Sequence, residues 1–128
     1  MRHAMRDLSR LLQKNLFHNR DLVRNHMIKH IVAWKLKEHA EGRSRMENAL
    51  LLKRELESMT AKIKEIRSLE VGMNFNDGQD AYDLVLVTEF TRKEDLEIYQ
   101  NHPEHQRVVA ILRRLRESRV VVDYGSNG

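Results

Sequence analysis

The chain has 128 residues, no cysteine and a formal net charge of +4, with 33% charged and 41% hydrophobic residues. This length and composition are typical of one globular domain. The lack of cysteine excludes disulfides and thiolate chemistry. The longest apolar run, Val108-Val-Ala-Ile-Leu112, is too short to span a bilayer. No apolar segment near the N-terminus resembles a signal peptide, so we expect a cytoplasmic protein without membrane association.

The positive charge lies at the N-terminus. Residues 1–26 contain six basic and two acidic side chains, and the remaining residues contain 17 of each. Because the rest of the chain is formally neutral, the domain gives no case for nucleic-acid binding, and we expect no nucleic-acid partner. Leu8, Leu11, Leu12 and Leu16 recur at helical spacing among arginines, which predicts a short basic amphipathic helix. Three interpretations stay open: a leader that docks on the domain or its partner, a targeting-like or membrane-surface helix, or translated upstream sequence.

The first predicted strand spans residues 28–36. Its side chains alternate between two faces that are both apolar, as in a central strand covered on both sides. One face carries His30, Val32, Trp34 and Leu36. The other carries Ile31 and Ala33.

A long helix is predicted next. Ser44 and Glu47 have the spacing of a capping box, in which each side chain bonds a free backbone N–H at the helix start. An apolar stripe about six turns long follows at alternating spacings of three and four. The stripe consists of Ala49, Leu52, Leu56, Met59, Ile63 and Ile66.

Two further strands and two helices complete the pattern. The segment 69–73 and the return strand 82–90 flank a turn at Asn76-Asp-Gly78. Thr91 and Glu94 predict a second capping box. Asn101-His-Pro103 ends that helix, and Pro103 suits the first position of the next one. The last strand covers residues 119–124.

The predicted order, β-α-β-β-α-α-β, indicates an α+β ferredoxin-like fold with an antiparallel sheet and helices on one face. We expect the uncovered sheet face to be apolar and therefore to require a partner. The residues expected on it are Val32, Trp34, Leu36, Leu84 and Leu86.

Three segments stand out in chain order: Ile28-Lys-His-Ile-Val-Ala-Trp-Lys-Leu-Lys37, Tyr99-Gln-Asn-His-Pro-Glu-His-Gln-Arg-Val-Val109 and Arg119-Val-Val-Val-Asp-Tyr124. Together they resemble the stress-responsive A/B barrel (Dabb) family. The resemblance divides the chain into an extension (1–26), a domain (27–125) and a tail (126–128). It implies that two copies pair through their sheet faces into a dimeric α+β barrel.

His105 is the leading candidate for chemistry. It lies in the first turn of the last helix, where the helix dipole disfavours an imidazolium and leaves a neutral, basic ring. In the polyketide-cyclase branch of the family, the matching histidine acts as a general base beside a tyrosine. The resemblance therefore implies His105 with Tyr99 as catalytic pair and His30 as a pocket residue. The chain departs from that branch at Leu84, where those cyclases carry another histidine.

Other candidates for a site are weaker. His102 and His105 are spaced for a metal, but no third ligand is evident, so we predict no metal and no cofactor. His102 is expected to cap the last helix instead. Asp123, on the last strand, is expected to be a hydrogen-bond partner.

The favoured hypothesis is a homodimer that binds a hydrophobic or aromatic small molecule in its barrel cavity, with a stress-related role. The pocket residues would be His30, Val32, Trp34, Leu84 and Leu86. One alternative is a cofactor-free lyase, cyclase or monooxygenase-like enzyme using His105 and Tyr99. Another is a purely structural stress protein. An open pocket with polar groups favours binding or catalysis, and a filled barrel favours the structural role.

Overall fold

A computed structural model describes residues 27–126. A four-stranded antiparallel sheet, in the order β4-β5-β1-β6, carries the helices on one face. The strands are β1 (Met27–Leu36), β2 (His39–Ala40), β3 (Arg43–Ser44), β4 (Ser68–Met73), β5 (Leu84–Phe90) and β6 (Arg116–Ser126). The helices are α1 (Arg45–Glu57), α2 (Lys93–Asn101) and α3 (Pro103–Leu115), with a short 3-10 helix (Ser58–Ala61) after α1. The predicted order is confirmed, apart from an added small hairpin, β2–β3.

The alternation predicted for β1 is correct, but the assignment of its faces is wrong. The five residues expected on the uncovered face (Val32, Trp34, Leu36, Leu84 and Leu86) are at most 3% exposed within this single chain. They lie beneath the helices and form the core with apolar residues of α1, α2 and α3. The physical reason is size: the helices cover the face with the larger apolar side chains, because that burial removes more surface from water.

The opposite side of the sheet has no helix over it within residues 27–126. We call it the open face, and it consists of Ile31, Ala33, Val85, Val87, Val120 and Val122. Ile31 pairs with Val87 on one side and Val122 on the other, so these side chains form a continuous apolar row. Val120 and Val122 remain 46% and 57% exposed.

The start of α1 is as predicted, but its length is not. Ser44 Oγ accepts a hydrogen bond from the Glu47 N–H, and Glu47 Oε1 accepts one from the Ser44 N–H. The α-helix ends at Glu57, and Ile63 and Ile66 are buried beyond the 3-10 helix. At this end the Ser58 hydroxyl donates to the Glu55 carbonyl, a local bond that competes with helix continuation.

The ends of α2 and α3 help to position the residues of the candidate site. The second predicted capping box is wrong, because α2 has Arg92 at its N-cap with no side-chain cap bond. α3 begins at Pro103 as predicted, and His102 Nδ1 accepts a hydrogen bond from the Glu104 N–H at 3.0 Å. His102 is thus the N-cap of α3, which sets the direction of the helix that carries His105.

Among residues 27–126, none of the helices combines the length and the apolar character needed to cross a bilayer.

Candidate functional site

A cavity of about 270 Å³ lies between the sheet and the helices. Its apolar wall comes from β1, β5, α1, the 3-10 helix and α3, and includes Val32, Trp34, Leu56, Met59, Leu86 and Leu112. Its polar groups include His30, Tyr99 and His105. This cavity is formed within one chain, under the helices. It is not the space between two sheets in which the sequence placed the pocket.

The structure places four of the five predicted pocket residues on the cavity wall. His30, Val32, Trp34 and Leu86 line it, whereas Leu84 does not. Leu84 is buried opposite Trp34 and Met73 in the sheet, at the start of β5. The strand alternation alone could not separate Leu84 from Leu86, because both point to the same side.

Tyr99 occupies the centre of the polar group. It is fully buried in the last turn of α2. Its ring centroid lies 4.5 Å from that of His105, 5.0 Å from Phe90 and 6.0 Å from His30. Burial raises the pKa of the Tyr99 phenol. The phenol therefore remains protonated at neutral pH and is a potential hydrogen-bond donor to a bound molecule.

His105 is held as a neutral ring with one free basic nitrogen. Its Nδ1 lies 3.0 Å from the carbonyl oxygen of Gln100, so Nδ1 carries the proton and donates. Burial lowers the pKa of His105 to about 4, against the opposing effect of the Gln100 carbonyl. Electrostatic interactions with His30, Arg119 and His102 lower this pKa further. Nε2 of His105 is left as a proton acceptor at neutral pH.

His30 is oriented by the last strand. It is 2% exposed, and its Nδ1 lies 2.5 Å from Asp123 Oδ1 across the β1–β6 pair. Asp123 is therefore a hydrogen-bond partner, as expected, and the sheet register decides that its partner is His30. The carboxylate accepts from Nδ1, which leaves Nε2 of His30 as the second ring nitrogen available to the cavity.

The sequence did not predict three arginines that lie on the cavity wall. Arg113 is in the last turn of α3, Arg116 is its C-cap, and Arg119 follows in β6. We call them the arginine cluster. Their spacing of three residues runs from a helix into a strand, so neither the helical nor the strand period reveals a common direction.

The described residues bring together no group of three or more histidine, aspartate or glutamate side chains that could hold a metal. The imidazoles at positions 102 and 105 instead use Nδ1 for the α3 cap and for the Gln100 carbonyl.

The sequence of this domain matches a family model over residues 28–126, described as the stress responsive A/B barrel domain. The chain belongs to the stress-responsive A/B barrel family. This confirms the predicted family. A comparison with curated proteins found no match.

Solved structures of similar proteins support the ferredoxin-like fold of this A/B barrel domain. A dimeric protein of unknown function with a ferredoxin-like fold from Bacteroides fragilis is 38% identical, with a TM-score of 0.69 over 77% of this chain and 94% of that chain. A dimeric ferredoxin-like protein of unknown function from Thermobifida fusca is 21% identical, with a TM-score of 0.66 over 77% and 90%. The hydroxynitrile lyase from Passiflora edulis is 14% identical, with a TM-score of 0.68 over 79% and 94%. At these lower identities the likeness concerns the fold alone.

Proposed function

We propose that this A/B barrel domain binds a small apolar or aromatic molecule in the cavity beneath its helices. The observation that carries the proposal is a cavity of about 270 Å³ in which the polar groups of His30, Tyr99 and His105 converge beside apolar side chains of β1, β5, α1 and α3. A few polar groups in an apolar pocket are typical of ligand sites. A cavity of about 150 Å³ suffices for benzene, so this one can hold a substituted ring. A purely structural protein would be better served by a filled core.

The test is direct occupancy of the cavity. Native mass spectrometry of the purified protein should reveal a small molecule that is released on denaturation. Val109→Phe, on the cavity wall, should abolish this binding because it fills the space. Ala110→Phe is the matched control, since Ala110 is the next residue of α3 and is exposed. If wild type, Val109→Phe and Ala110→Phe all lack a bound molecule and all fail to bind phenyl compounds, the proposal is wrong.

We also propose that the protein is a homodimer that pairs through the open face. The support is the apolar row at Ile31, Val87 and Val122, together with the dimeric description of the 38% identical Bacteroides fragilis protein. An uncovered apolar sheet face of this kind is a frequent protein interface. Pairing two such faces yields the α+β barrel predicted from the sequence, with the ligand cavities outside it, one in each chain.

A second candidate function is cofactor-free proton transfer. The specific observation is His105, whose Nδ1–H donates to the Gln100 carbonyl while Nε2 remains unprotonated beside the protonated Tyr99 phenol. The rings of the base and the donor have centroids 4.5 Å apart. Such a pair can remove a proton from a carbon acid and stabilise the resulting oxyanion. Because the pKa of His105 is about 4, the base form is fully present at pH 7.

The test for catalysis is deuterium exchange at the acidic C–H of a bound aryl ketone, followed by NMR. We expect wild type to accelerate exchange, His105→Gln to remove the acceleration, and Tyr99→Phe to reduce it. His39→Gln, which alters an exposed histidine outside the cavity wall, is the control. Exchange that is equal in His105→Gln and wild type would exclude His105 as the base and leave ligand binding intact.

A further inference from the structure

The cavity wall carries an unbalanced positive charge. The arginine cluster contributes three guanidinium groups, and none of the lining residues among positions 27–126 is an aspartate or glutamate. This imbalance is local, because the chain beyond residue 26 has 17 basic and 17 acidic side chains. The formally neutral part of the chain has thus placed three positive charges beside one cavity.

The arginine cluster also differs from the other arginines of the same region in its pairing. Arg114 pairs with Glu41 at 2.9 Å, and Arg107 pairs with both Glu55 and Glu104. By contrast, no carboxylate of residues 27–126 forms an ion pair with any member of the cluster. Arg113 and Arg114 are neighbours in sequence and both are exposed, yet Arg114 pairs with a carboxylate whereas Arg113 lines the cavity.

One member of the cluster, Arg119, lies near the polar groups of the cavity. Arg119 is placed opposite Trp34 in the β1–β6 pair, on the helix-covered side of the sheet. It is close enough to His105 for its charge to oppose protonation of the imidazole. An anion bound there would lie near His105, while the apolar wall formed by Val32, Leu56 and Leu86 is free to receive an uncharged body.

We propose that the natural ligand is a small carboxylic acid with an apolar or aromatic body, whose carboxylate is bound by Arg113, Arg116 and Arg119. This inference rests on the proposed function, that the cavity binds a small molecule, and adds the chemical class of the ligand. The planar guanidinium group matches a carboxylate through two parallel hydrogen bonds, which makes arginine well suited to this recognition. Within residues 27–126, no carboxylate pairs with the cluster, so its charge is available to a bound carboxylate.

The experiment compares matched acids and amides on the full chain. Phenylacetate and phenylacetamide have the same ring and differ in charge, as do hexanoate and hexanamide. Binding is followed by titration calorimetry and by the indole N–H signal of Trp34, which reports occupancy because Trp34 lines the cavity. We expect the acids to bind at least about tenfold more tightly than the amides, in line with the strength of charge-assisted hydrogen bonds. Added salt should weaken only the acids.

Single substitutions locate the effect. Arg113→Gln, Arg116→Gln and Arg119→Gln should each weaken phenylacetate binding by about tenfold and leave phenylacetamide binding unchanged. Arg114→Gln is the matched control, because it removes the same charge from the same helix end, where Arg114 already pairs with Glu41. Circular dichroism verifies that each variant is folded, and the acid–amide comparison in wild type needs no variant at all.

The outcomes separate the two proposals. Acids and amides that bind equally well, with a shifted Trp34 signal, would overturn the carboxylate inference and leave the binding function standing. Equal loss of acid binding in Arg114→Gln and in the cluster variants would also overturn it, because the charge would then act without contact. If neither acids nor amides bind, the binding function fails and the carboxylate inference fails with it.

Discussion

The two faces of the sheet differ in residue size more than in hydrophobicity. On β5 the covered face carries Leu84, Leu86 and Phe90, all buried, and the open face carries Val85 and Val87, both half-buried. The covered face forms the core and one wall of the cavity, whereas the open face is a shallow row of branched side chains. Two apolar faces of one strand can therefore have different tasks: one stabilises the chain, and the other is available for a partner.

The largest expected effect is on the covered face. Leu86→Glu places a carboxylate among buried core residues, where an uncompensated charge costs roughly 3–5 kcal/mol, so we expect loss of the folded state. Far-UV circular dichroism and urea unfolding measure this loss. Trp34→Glu should have the same effect on folding, because Trp34 also lies on the helix-covered face and not on the uncovered face expected from the sequence. A cooperatively folded Leu86→Glu protein would contradict the assignment of this face to the core.

The matched substitution on the open face should act on assembly. Val87 is the next residue of β5 and points to the opposite side. We expect Val87→Glu to keep the native circular dichroism spectrum but to sediment as a monomer, because two like charges would meet across the proposed interface. Ile31→Glu should behave in the same way. If both variants remain dimers, the open face is not the interface.

A smaller effect is expected on the pH dependence of stability, and it concerns only the helix-covered side of the sheet. The unfolded chain protonates His105 near its ordinary pKa of 6.5, whereas the folded chain does so only near 4. The neutral ring therefore favours the folded state above pH 6.5, and this contribution is lost as the pH falls from about 6.5 to about 4. In urea unfolding at several pH values, His105→Gln should lose less stability over this window than wild type. His39→Gln, on the exposed β2, is the control. Equal pH dependence in wild type and His105→Gln would show that the ring is solvated.

The smallest expected effect is that of shortening the chain. Removal of residues 1–26, which lie outside the described residues, should leave a folded dimer starting at Met27 with a near-neutral isoelectric point, because its formal charge is zero. We expect a change in stability of about 0.5 kcal/mol or less. Sedimentation and urea unfolding of the full and the shortened chain test whether a second copy or the preceding residues cover the open face. A shortened chain that loses the native fold would mean that the preceding residues cover it, instead of a second copy.

Much of the fold follows from local signals. The capping box of Ser44 and Glu47, the alternation of β1 and the start of α3 at Pro103 all depend on neighbours close in sequence. The early end of α1 did not follow, because Ile63 and Ile66 continue the apolar period although the helix has ended. These two residues are buried outside the helix. Periodicity alone cannot distinguish a residue buried within a helix from one buried beyond its end.

The candidate site was predicted in part. The stretch from Tyr99 to His105 is recognisable from the sequence, because a helix break lies beside an imidazole and a phenol within a few residues. The arginine cluster was not found, because Arg113, Arg116 and Arg119 belong to a helix, its cap and a strand. These three residues line one cavity only because β6 pairs with β1.

The sequence by itself determined the order of the elements, the family and the apolar character of both sheet faces, because these depend on local spacing and composition. Only the tertiary structure decided which face the helices cover, since the choice depends on the total area buried against α1, α2 and α3. It also decided that the cavity lies within one chain and that Asp123 bonds His30, because both depend on contacts between residues far apart in sequence. Such contacts arise from strand register and helix packing, which no short segment specifies alone.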